Sequence, residues 1–76
     1  MESKLVNALK LRYEARKAEA VATLEVYLKN PVGIGEHPQI VKEMDNLVHT
    51  IADADGCLEA LRSVIVVADT EEQING

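Results

Sequence analysis

The chain contains no phenylalanine and no tryptophan, and two tyrosines are its only aromatic residues. A core without large rings must be filled by Ala, Val, Leu and Ile, which suits helix packed on helix better than a sandwich or a nucleotide pocket. Cys57 is the single cysteine, so no disulfide can form within one chain, and an unpaired thiol suits a reducing compartment. The first residues lack a basic region followed by an apolar run, so no signal peptide is visible. No apolar stretch approaches the roughly 20 residues that span a bilayer. These absences point to a cytoplasmic protein with no membrane partner.

Seventy-six residues make one small domain, residues 1–76. A chain this short buries only about 60% of its unfolded surface, so a lone core is marginal. Small scaffolds usually gain stability from disulfides, a metal or a second chain. The first is excluded and no metal-binding cluster stands out, which leaves self-association. The net charge is −5 and unevenly spread. Residues 1–30 carry six Lys/Arg and four Asp/Glu, for +2; residues 31–76 carry two and nine, for −7. The halves attract each other when packed side by side, and the acidic total argues against general nucleic-acid binding.

Periodicity then gives the architecture: an all-α, antiparallel two-helix hairpin assembled into a dimeric or tetrameric bundle. The first helix spans about 3–29, with Ser3 as its N-cap. Leu9, Tyr13, Leu24 and Tyr27, with Val6, Ala20 and Leu28, recur on one face at about 100° per residue. Lys10 and Lys17 border that face, their stems able to cover apolar surface. Asn30-Pro31 stops the helix, because the residue before proline is pushed out of the α region. The turn from Asn30 to Pro38 holds two Pro and two Gly, with Val32 and Ile34 expected to cap the open core end and Pro38 to begin the second helix.

The second helix is drawn from about 38 to 69. Ile40, Met44, Leu47, Ile51, Ala54, Leu58, Leu61, Ile65 and Ala68 alternate spacings of four and three, the heptad seam of a coiled coil. Gly56 lies opposite this seam, where a kink is conceivable, but the unbroken phase favours continuity. Val41, Val48, Cys57, Val64 and Val67 widen the apolar surface, and Cys57 is expected to be buried. Residues 70–76 are polar and expected to form a flexible tail.

The first helix also carries a second apolar stripe: Ala8, Leu11, Ala15, Ala18 and Ala22. A helix packed against one partner needs one stripe, not two, so these five are the expected oligomer interface. Small residues there let two backbones approach closely.

Chemistry is sparse. Asp45, His49 and Asp53 share a helix face at i, i+4 and i+8, yet an ordinary solvated face explains them and a metal site would need further ligands. Glu36 and His37 lie in the turn, where packing and capping roles outweigh catalysis. Gly33-Ile34-Gly35 lacks the Lys-Ser/Thr and the preceding strand of a phosphate loop. Lys10, Arg12, Arg16 and Lys17 form a basic cluster, interrupted by Glu14 and Glu19, without an aromatic for base stacking; pairing with acidic residues of the second helix or of another chain is its expected role. No nucleophile–base pair or cofactor motif is present, so no enzyme activity, cofactor or metal is expected.

The stretch Arg12-Tyr13-Glu14-Ala15-Arg16-Lys17-Ala18-Glu19-Ala20, followed by Tyr27-Leu28-Lys29-Asn30-Pro31-Val32-Gly33-Ile34-Gly35-Glu36-His37-Pro38, resembles small uncharacterised proteins of tailed, T4-like bacteriophages. The similarity covers the first helix and the turn and continues loosely along the second helix. It brings no site with it. It implies a phage product acting in the cytoplasm of an infected bacterium, on itself or on a bacterial host protein.

Overall fold

A computed structural model describes residues 3–30 and 39–75, with side chains through Ala68. Two helices, α1 (Lys4–Lys29) and α2 (Ile40–Asn75), lie against each other, and the described residues contain no strand. The molecule is a rod of 61 × 18 × 15 Å with a Cα radius of gyration of 17.6 Å. A compact domain of this length would have a radius near 11 Å.

Ser3 starts α1 from an extended conformation (φ −131°, ψ 158°), and its Oγ accepts from the Val6 amide at 3.0 Å. This satisfies one of the amides a helix N-terminus leaves without a partner. At the other end the Asn30 amide donates to the Val26 carbonyl at 2.9 Å. Asn30 itself has left the helical region (φ −145°, ψ 63°), as the following proline requires. The turn residues Val32, Gly33, Ile34, Gly35, Glu36, His37 and Pro38 lie outside the described residues.

The second helix is longer than its seam alone suggests. It passes through Gly56 unbroken and carries on through 70–75. Its 36 residues correspond to about 54 Å of helix, against about 39 Å for α1. Cross-helix contacts give the antiparallel register: Arg16 meets Asp53, Tyr27 meets Glu43 and Lys17 meets Asp55. In all three the residue numbers add to between 69 and 72. Lys4 therefore faces the region of Val66, and the last two turns or so of α2 run past the start of α1.

The core is a single line of contact. Only Ala20 and Ala54 are buried among the described residues, at 4% and 0% exposure. Tyr13, Leu24 and Tyr27 of α1 are half-buried, as are Ile40, Met44, Leu47, Ile51, Leu58, Leu61 and Ile65 of α2. Each of these side chains has one face against the opposite helix and one face open, which is the geometry of a two-stranded coiled coil.

Leu9 departs from its expected place in this core. It is 39% exposed, because α1 follows a strict alternation of four and three through positions 6, 10, 13, 17, 20, 24 and 27. Lys10 and Lys17 occupy seam positions and Leu9 is pushed to the rim. Lys17 is half-buried and reaches Asp55 with its Nζ at 2.7 Å. By the register Lys17 lies level with Ala54, an alanine with no exposed surface. Leu28, likewise counted with the apolar face, is exposed.

Candidate interaction surface

The five residues of the outer stripe, Ala8, Leu11, Ala15, Ala18 and Ala22, are all exposed. They occupy the side of α1 directly opposite the seam, because a step of seven residues returns to the same side of a coiled-coil helix and the stripe is half a turn out of phase with the Val6–Tyr27 line. Leu5 and Val26 extend this apolar surface at either end, at 82% and 54% exposure. Helical periodicity alone was enough to find the stripe; that nothing among the described residues covers it required the second helix to be placed.

Further apolar surface lies along both flanks of the hairpin. Leu28, Val41 and Val48 are exposed towards the turn end, and Leu9, Val64 and Val67 towards the open end. Cys57, expected to be buried, is only half-buried, since its position flanks the seam and does not enter it.

The basic cluster divides on folding. Arg16 Nη1 lies 3.5 Å from Asp53 Oδ2, and Lys17 pairs with Asp55. These are the contacts expected from the opposite charges of the two halves. Both pairs are substantially exposed, and such pairs contribute roughly 0–1 kcal/mol each. Their use is to fix register rather than to supply stability.

Nearer the turn, Tyr27 donates its phenol proton to Glu43 Oε2 at 2.6 Å. This carboxylate acceptor raises the phenol above its ordinary value of 10.0, with partial desolvation and the negative charge of Glu43 acting the same way. Sequence reasoning missed this pair. A hairpin folded about residue 35 places position 27 beside position 43, so the signal was present once a centre of folding had been chosen.

Asp45 and His49 approach each other at 3.5 Å on an exposed face of α2. Asp53 is turned to Arg16, and no group of three His, Cys, Asp or Glu among the described residues could hold a metal ion. No helix among the described residues is long and apolar enough to cross a membrane.

Among the described residues this surface presents small side chains on one helix, flanked by charges of both signs. No protein-family model matches the chain, and neither a curated protein nor a solved structure is significantly similar to it.

Proposed function

We propose that the chain is a non-enzymatic assembly module: a helical hairpin that becomes stable by associating with further copies through its coiled-coil faces. The observation that carries this reading is the mismatch between core and surface. Two alanines are buried, while ten Leu and Val side chains among the described residues are exposed. The accessible surface is 5942 Å². A compact monomer of 8.3 kDa would expose roughly 4,600 Å², so the hairpin carries about 1,300–1,400 Å² in excess. A standard interface removes about 800 Å² from each partner. One such contact offsets more than half of the excess.

The test is mass in solution by light scattering behind size exclusion, across a range of concentrations. A dimer or tetramer is expected, with a midpoint of thermal unfolding that rises with concentration. Ala15→Glu buries two carboxylates at the interface centre and is expected to shift the population towards monomer. A wild-type protein that stays monomeric and fully folded at every concentration overturns the reading.

A second reading is supported by the resemblance to phage proteins. Here the same faces dock onto a bacterial host protein, as an adaptor or inhibitor in the host cytoplasm. It predicts a monomer that unfolds at low temperature alone and is stabilised by one stoichiometric partner. Nucleic-acid binding through Lys10, Arg12, Arg16 and Lys17 is less favoured, because Arg16 and Lys17 lie against aspartates of α2.

A further inference from the structure

The outer face of α1 reads as a palindrome of charge and size, and this specifies how two copies would meet. Along its central ridge lie Ala8, Ala15 and Ala22, seven residues apart and all exposed. One flank carries Lys4, Leu11, Ala18 and Glu25; the other carries Leu5, Arg12, Glu19 and Val26. All eight are exposed as well. When two helices pack antiparallel, like flanks meet: each row faces the same row of the partner, read backwards.

Reversing each row against itself gives a complementary match throughout. On the first flank Lys4 meets the partner's Glu25, and Leu11 meets the partner's Ala18, large against small. On the second, Leu5 meets the partner's Val26 and Arg12 meets the partner's Glu19. On the ridge Ala8 meets the partner's Ala22, and Ala15 meets itself. Parallel pairing in register instead brings opposite flanks together, setting Lys4 beside the partner's Leu5, Leu11 beside its Arg12, Ala18 beside its Glu19 and Glu25 beside its Val26, so that every charge faces an uncharged side chain.

We infer that two copies of the chain pair antiparallel through the outer faces of α1, with the twofold axis passing through Ala15. This rests on the self-association reading above and adds the surface, the direction and the register. The alanine ridge lets the backbones approach closely, and twofold symmetry doubles each contact, as an isologous interface requires. Four ion pairs result, from two distinct ones. Lys4 is otherwise poorly placed, because it lies in the first turn of α1, at the positive end of the helix dipole, and that turn holds no acidic residue. The partner's Glu25 supplies the missing negative charge. Within its own chain Glu25 also lies 3.5 Å from Lys29, so in the dimer it sits between two cations.

A cysteine ruler tests this in the full chain, with Cys57→Ser as background and sedimentation run alongside. Ala15→Cys is expected to give a disulfide-linked dimer on mild oxidation. Ala8→Cys alone should not, because the two copies of position 8 lie 14 residues apart along the interface, about 21 Å, against a Cα reach of about 7 Å for a disulfide. An equal mixture of Ala8→Cys and Ala22→Cys should yield the mixed dimer. If Ala8→Cys links to itself as readily as Ala15→Cys, the helices pair in parallel and the inference fails. If the background protein sediments as a dimer but neither Ala15→Cys nor the mixture links, association uses another face; the inference fails while the assembly reading stands. A background protein that is monomeric and folded at all concentrations removes both.

Discussion

Replacing Gly56 with alanine tests the continuity of α2 and the nature of its outer face in one step. Gly56 lies inside a helix of 36 residues on the side opposite the seam. A Cβ built there meets nothing within 4 Å, so the substitution adds a methyl group to open space. What remains is the difference in helix propensity, about 1 kcal/mol in favour of alanine in a helix interior, arising mainly from the freedom glycine loses on folding. For a domain of this size 1 kcal/mol corresponds to a rise in melting temperature of about 4–8 °C. The assay is thermal and urea unfolding followed by circular dichroism, with wild type and variant at one fixed concentration because the proposed association would make stability depend on concentration. Light scattering of both confirms that their masses agree. An unchanged or lowered midpoint refutes the reasoning: either α2 breaks at Gly56, or another chain approaches so closely that only glycine fits.

Two further perturbations follow from the ends of the hairpin. Ser3→Ala removes the acceptor of the Val6 amide and should cost about 1 kcal/mol, seen as a lower urea midpoint with unchanged slope, while Ser3→Asp should retain the stability. Tyr27 gives a dependence on alkaline pH. Its phenol is raised above the ordinary value in the folded chain, so its contribution is complete below about pH 10 and is lost as pH rises through the raised value. The difference between the absorbance titrations of wild type and Tyr27→Phe isolates the Tyr27 phenol and should be centred above its ordinary value of 10.0; a difference curve centred at or below that value would count against the Glu43 contact.

Much of this molecule is legible in its sequence because helical periodicity and capping are local. Ser3 as N-cap, Asn30-Pro31 as the stop, the seam from Ile40 to Ala68 and the outer stripe from Ala8 to Ala22 each follow from spacings within one helix. The match between Lys4 and Glu25, or Arg12 and Glu19, is likewise written in the order of residues along α1, although its meaning depends on knowing that this face is left uncovered. The placement of Leu9 and Lys10 was not legible in the same way. Both fit an apolar stripe with a ragged edge, and only a partner helix, through the four–three alternation it imposes, decides which of the two enters the seam.

What the amino-acid order determined by itself is therefore two amphipathic helices, their approximate limits and their opposite charge. What the tertiary structure decided is their register. Register depends on which side chains meet across gaps as long as that between Lys4 and the region of Val66, and the hydrophobic pattern repeats every seven, so several offsets bury similar surface. The contacts that pick one offset are specific and few: Tyr27 on Glu43, Arg16 on Asp53, Lys17 on Asp55. With that register in place Ala20 and Ala54 become the only buried side chains among the described residues, and the outer face of α1 is left facing away from α2.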